Sequence, residues 1–360
     1  MDAARSNPAI AEGNVDLLRA ELAYGVLLCR FRNSEDGIRR FWSVAAIASK
    51  HHGDESLTVE IAFGHLAECL WRNGDLGGGA SMAVSAYGMA ASRDEPSPWV
   101  LASMALSLAG MMCDLDRGAE CAEFTEKGLV HAAAMPPGEV RSRTIGTLRV
   151  AQVRVLILRG TTEEAEALAA QFLIEPLCCE QTLHVTRSYA LRLGGRFDEA
   201  AGAADQAISM ARAKGGLFEL VWVLAWRGLA ELDAGRPAQA LVSAEQAMSL
   251  MTEARPSDID SADVLLAYGR ALLANGRAAE ALEPLRQSYG SRLGHDPKSV
   301  WAAEAEYWFG QAYIANGDKK RGRWMVAEAK RALAKSPFKL HKMLVAGDSR
   351  VAAAAAPSTR

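Results

Sequence analysis

A chain of 360 residues that is 50% hydrophobic and 23% charged can bury a large core, which excludes an acidic disordered protein. Its net charge of −3 excludes nucleic-acid binding by bulk charge. The first residues show no basic flank before an apolar run, and no stretch approaches the roughly 18 apolar residues of a membrane span, so a soluble cytoplasmic protein is expected, with no membrane contact. The six cysteines, at 29, 69, 113, 121, 178 and 179, lack the paired spacing of a zinc site or secreted disulfide framework. Reduced thiols are expected, with adjacent Cys178 and Cys179 read as packing and surface rather than a sensing pair.

Residues 1–14 are expected to be a flexible N-terminus. From residue 15 onward the apolar residues follow a helical period, broken by turns near Arg32, Gly74, Asp116, Gly160, Gly195, Gly235, Gly276 and Gly317. The pattern is plainest in the last four, GRFDEA at 195–200, GRPAQA at 235–240, GRAAEA at 276–281 and GDKKRG at 317–322, which recur at 40, 41 and 41 residues. Such a period marks a repeat array, which can run this long as one unit because each repeat packs on its neighbours. Glycine at the turn permits positive φ, and acidic residues or proline after it suit the first turn of the next helix.

Seven residues before the turns stand Gly25, Ala67, Ala109, Val153, Ser188, Gly228, Gly269 and Gly310, and five residues after them Gly37, Gly79, Cys121, Ala165, Ala200, Ala240, Ala281 and Gly322. Only Val153 departs from small size. Where two helices of a hairpin cross closely, a larger side chain holds their backbones apart. Four residues before each turn the residue is apolar except at Glu231. Prolines at 96, 98, 136, 137, 176, 256, 297 and 337 fall between the units, as suits residues that cannot continue a helix.

These small and large positions resemble the tetratricopeptide repeat over roughly residues 15–337, in the long-repeat form of bacterial regulators and sensors. The units here are longer, about 35–44 residues, and the large residue at the fourth position is often missing, as at His184 and Glu306. The resemblance implies an all-α, right-handed superhelical solenoid of about eight hairpins over residues 15–345. Its concave groove would be lined by positions two, five, nine and twelve of each repeat. The ninth position carries Glu68, Arg154, Tyr189, Arg270 and Gln311, and the twelfth carries Arg192. Arg154, Arg192 and Arg270, with Tyr189 among them, would form a cationic stripe able to grip a carboxylate through paired hydrogen bonds. Alternatively each arginine pairs with an acid on the next helix. Trp71, Trp222, Trp226 and Trp308 fall on first helices, where aromatic rings pack hairpins together or stack on a ligand.

Between 318 and 342 nine cations, including Lys319, Lys320, Arg321 and Arg323, face two acids, Asp318 and Glu328. The array is therefore acidic with a basic cap, which gives a terminal repeat a soluble outer face or meets nucleic acid or the acidic body of a second copy. Residues 346–360 read as a disordered tail. No P-loop, metal-binding histidine pair or nucleophile elbow is present, so no catalytic residue, metal or cofactor is expected. The expected function is a non-catalytic adaptor, scaffold or regulatory receptor that binds a protein or acidic peptide segment, with a homodimer as a further arrangement and nucleic acid disfavoured. A helical-repeat enzyme or small-ligand sensor with a pocket inside the superhelix is the alternative, and nucleic-acid contact through the cap the third reading.

Overall fold

The computed structural model describes residues 13–30, 34–174, 179–214, 216–254 and 258–348. The turn expected at Arg32, the residues Pro176, Cys178 and Pro256, residues 1–12 of the N-terminal stretch and residues 349–360 of the tail lie outside the described residues. The described residues form seventeen helices and no strand. Among them no helix is long and apolar enough to cross a membrane.

Contacts divide the span read as one solenoid into two compact units, Met1–Gln152 and Val153–Arg360. The first holds hairpins α1 (Val15–Arg30) with α2 (Ser34–His52), α3 (Leu57–Arg72) with α4 (Leu76–Ala91), and α5 (Pro98–Asp114) with α6 (Gly118–Ala133). The boundary falls inside α7 (Glu139–Leu158). The second holds α8 (Thr162–Phe172), then α9 (Glu180–Leu193) with α10 (Phe197–Lys214), α11 (Leu217–Asp233) with α12 (Pro237–Ala254), α13 (Asp258–Ala274) with α14 (Ala278–His295), and α15 (Val300–Ala315) with α16 (Lys319–Leu333). A single short helix, α17 (Lys339–Ala346), follows the last hairpin.

One turn chemistry ends the first helix of each hairpin from α3 onward. Gly74, Gly160, Gly195, Gly235, Gly276 and Gly317 all have φ between 76° and 96°, and Asp116 takes the same left-handed conformation at 56°. In six of these turns the residue after the turn donates its backbone N–H to the carbonyl of the residue four before it, as Arg196 does to Leu191 at 2.9 Å and Arg236 to Glu231 at 2.8 Å. The orphan carbonyls at the helix end are thereby satisfied. Two of the second helices then start on a side-chain cap: the Asp75 carboxylate accepts the Gly78 N–H at 2.8 Å, and that of Asp318 accepts the Arg321 N–H at 3.1 Å.

The small residues seven before and five after a turn face one another. A Cβ on Gly228 would lie 3.3 Å from the Ala240 carbonyl oxygen, one on Gly310 3.0 Å from that of Gly322, and one on Gly79 2.8 Å from that of Ala67. In α9 the small residue is Ser188, whose hydroxyl donates to the Ala200 carbonyl at 2.8 Å across the same crossing. Ala200, Ala240 and Ala281 are fully buried. In the first unit the core beneath these crossings gathers Leu18, Leu22, Phe41, Val44, Val59 and Leu66.

Glu231, the exception among the apolar positions before the turns, is buried with its carboxylate held by Arg227 at 3.2 Å and by the Ser243 hydroxyl at 3.0 Å. Burial raises its pKa above the usual range despite Arg227.

The thiols depart from expectation. Cys29 on α1 is bonded to Cys69 on α3, and Cys113 on α5 to Cys121 on α6, so four cysteines expected as thiols are paired. The repeat explains why. Cys113 and Cys121 sit on opposite sides of the Asp116 turn, at the tight crossing, and their Cα atoms are 5.1 Å apart.

Replacing Ala240 with Leu should drive a branched side chain into the Gly228 crossing and cost about 1–3 kcal/mol by overpacking. Urea unfolding of Ala240→Leu beside wild type measures it; an unchanged midpoint would contradict the crossing geometry.

Candidate functional site

Four successive first helices of the second unit, α9, α11, α13 and α15, direct side chains toward one inner face. Arg192, from the last turn of α9, donates through Nε to Asp233 Oδ2 at 2.6 Å and through Nη2 to Glu304 Oε1 at 2.7 Å. Asp233 closes α11, and its second oxygen accepts from Arg270 Nη2 of α13. The other arm of Arg270 lies 3.5 Å from Glu304 on α15, and its guanidinium sits 4.0 Å above the Trp308 ring. Two cations and two carboxylates from four hairpins thus form one cluster, each 2% exposed or less. Beside it Arg292 of α14 donates to Asp263 of α13.

Electrostatics follow from this closure. Burial alone would raise the Glu304 carboxyl, but Arg192, with His341 and Arg270, overrides it and holds the group well below the usual carboxylate range. Burial would likewise lower Arg192, and Asp233 with Glu304 raise it instead. Asp263 is pushed up, first by burial and further by the nearby Glu304, with Arg292 opposing.

Aromatic rings continue the face. Tyr189 of α9 meets Trp226 edge-on at 4.0 Å between centroids and Trp301 of α15 at 5.5 Å. Against Trp301 lies the segment that follows the last hairpin. Phe338 stacks on it at 5.4 Å with planes 23° apart, and His341 meets both rings at 5.7 and 5.4 Å. His341 Nε2 is 3.6 Å from Glu304, while Nδ1 is hydrogen-bonded to the Ser336 hydroxyl at 2.8 Å. Pro337 rests on the turn at Gly160 and the Lys339 stem on the turn at Gly195. Ser336, Phe338, Leu340, His341 and Leu344 are all buried.

Of the residues expected to line the groove, the fold brings Tyr189, Arg192 and Arg270 together. The expected grip on an outside carboxylate is corrected by their surroundings: Arg192 and Arg270 are already neutralised by Asp233 and Glu304 and closed off from solvent. Arg154, half-buried on α7, is not a free cation either. Gln311 donates to the Tyr307 hydroxyl at 3.0 Å. Glu68 belongs to the first unit, where Arg72 one turn later donates to it at 2.8 Å. Lys319, Lys320, Arg321 and Arg323 open α16 and are exposed, with the Arg321 guanidinium 4.3 Å over the Tyr313 ring. Sequence reasoning missed Asp233, Glu304, Trp301, Phe338 and the place of His341. Glu304 stands at position two of its repeat, a groove position, and that register, with a carboxylate set in the apolar run VWAAEAEYWF, was the available signal.

Because the folded pKa of Glu304 lies below its unfolded value, its stabilisation is fully present above the unfolded carboxylate range and is lost as pH falls through it toward the folded value. Glu304→Gln should cost about 3–5 kcal/mol at pH 7 by leaving Arg192 and Arg270 under-compensated. Urea titrations at pH 7 and pH 4 should show that gap narrowing in acid; a gap that stays constant or widens would contradict the cluster.

No protein-family model matches the chain, and no curated protein matches it. Among solved structures it is similar to a Rap protein complexed with competence and sporulation factor, at TM-score 0.61 and 9% identity over 89% of this chain and 99% of that one. It is also similar to NprR in complex with its cognate peptide NprX, at TM-score 0.50 and 10% identity over 79% of each chain. Likeness at these identities is likeness of fold, and the fold of this chain is an all-α array of helical hairpins of tetratricopeptide type.

Proposed function

We propose that the chain is a non-catalytic, regulatory binding module that receives a peptide segment of its partner on the inner face of the second unit. The observation that carries this reading is that the face accommodates peptide: residues 336–346 of the chain itself lie on it, with Phe338 against Trp301 and His341 beside Glu304. Aromatic side chains supply large contact area at little entropic cost, and Tyr189, Trp226 and Trp301 together offer such an anchor site. The peptide in the NprR structure and the factor in the Rap structure support peptide as the ligand class.

The alternative of an enzyme or small-ligand sensor draws less support. Its expected mark is a pocket lined by ionisable groups with shifted pKa. Here the deeply buried groups so shifted, Glu304, Arg192 and Asp263, pair with one another or with Arg292 inside the protein.

Panning a displayed random peptide library against the full chain tests the reading. Selected peptides should bind wild type and lose tenfold or more in affinity, about 1.4 kcal/mol, on Tyr189→Ala. Selection of no peptide, or only of peptides indifferent to Tyr189, would overturn it.

A further inference from the structure

We infer that Ser336–Ala346 is a built-in occupant of the ligand-binding face, so that the ligand of this protein is a peptide segment with an aromatic anchor and an imidazole that competes with it. The inference rests on the peptide-binding reading above and names the ligand chemistry of that site.

The contacts made by these residues are those of a bound peptide. Residues 336–338 are non-helical, with Ser336 and Phe338 buried and Pro337 exposed between them, so the segment lies on a surface before α17 begins at Lys339. In α17 itself Leu340, His341 and Leu344 face inward and Lys339 and Lys342 outward. The segment touches none of the usual neighbours of a terminal helix alone. Besides α16, where Lys330 donates to the Val345 carbonyl at 3.0 Å, it meets α9, the turn at Gly160 and the turn at Gly195, all far earlier in the chain. Such reach places it across the inner face and not merely at the end of the stack.

Its chemistry also matches what it covers. Trp301 receives an aromatic ring, and the Glu304 carboxylate receives the imidazole of His341, the one titratable group of α17 turned inward. The charges facing His341 from the packed elements are those of Glu304 on α15, balanced by Arg192 of α9 and Arg270 of α13. Lys339 and Lys342 stay on the solvent side, adding positive charge without burial. A competitor needs the same parts: an aromatic residue, an imidazole side chain three residues later, and an aliphatic residue beyond it.

The test uses the full chain and a fluorescein-labelled peptide with the sequence of residues 336–346. Wild type should exclude this peptide, while Phe338→Ala with His341→Ala, which loosens the internal copy, should bind it at least tenfold more tightly. Adding Trp301→Ala to the loosened chain should abolish that binding. Equal binding to wild type and the loosened variant, or none to a loosened variant that keeps its helical circular dichroism, would overturn the inference. Should the variant unfold, hydrogen exchange on wild type with a panned peptide decides: amides of 340–345 should lose protection as those of α9 gain it, and unchanged protection in α17 refutes competition. Panned peptides that bind both forms equally and still require Tyr189 would leave the binding function standing while removing the internal occupant; failure of all peptides on both forms would remove both.

Discussion

The close approach of the two helices in each hairpin is the constraint on which the rest depends. With only hydrogen, methyl or a short hydroxyl group between backbones at Gly228 and Ala240, Gly310 and Gly322, and Ser188 and Ala200, each hairpin closes to nearly the same shape. Repetition of one shape makes successive first helices present the same side inward. Once four of them do so, polar residues at scattered sequence positions are carried to one place, which is how α9, α11, α13 and α15 come to share a single charge cluster.

That cluster is not inexpensive. Withdrawing two guanidinium groups and two carboxylates from water costs several kcal/mol per ion, and their attraction offsets this only when geometry and hydrogen bonding are good. The bonds of 2.6 and 2.7 Å from Arg192, each to a different acid, meet that requirement for one cation, while Arg270 keeps Nε and Nη1 buried without a hydrogen bond among the described residues. Hydrophobic side chains of similar volume could fill the same space. What they would not do is specify which helices meet: an arginine that must find one acid 41 residues ahead and another 112 residues ahead admits a single curvature of the stack. The buried Glu231, held by Arg227 and Ser243, imposes a smaller version of the same demand within one hairpin.

Turns and crossings were legible in the sequence because they are local and periodic: glycine with positive φ and small residues at fixed offsets follow from backbone sterics within some twelve residues. The inner face was half legible. Repeat register locates Tyr189, Arg192 and Arg270 on it, yet register says nothing about which charge on one helix meets which on another, so it leaves open whether the arginines await a ligand or pair with acids; for Arg192 and Arg270 the partners are Asp233 and Glu304. Cys29 and Cys69 went unpaired for the same reason, their proximity arising from stacking between hairpins. The C-terminal stretch misled through composition. Lys339 and Lys342 count as solvated charge and are indeed exposed, but the residues interleaved with them, Phe338, Leu340 and His341, belong to the interior.

A stack held only by nearest neighbours can fold progressively as the ribosome delivers it, each hairpin docking on the one before. The cluster interrupts that order. Arg192 finds Asp233 soon after synthesis, but Glu304 arrives a further two hairpins later, and the turns at Gly160 and Gly195 receive Pro337 and Lys339 only after all four of these hairpins have been made. Until then the nascent second unit carries an under-neutralised arginine and an uncovered aromatic face. Its final closure belongs to the long-range contacts that are slow to form, and completes only after residues 336–346 have left the exit tunnel.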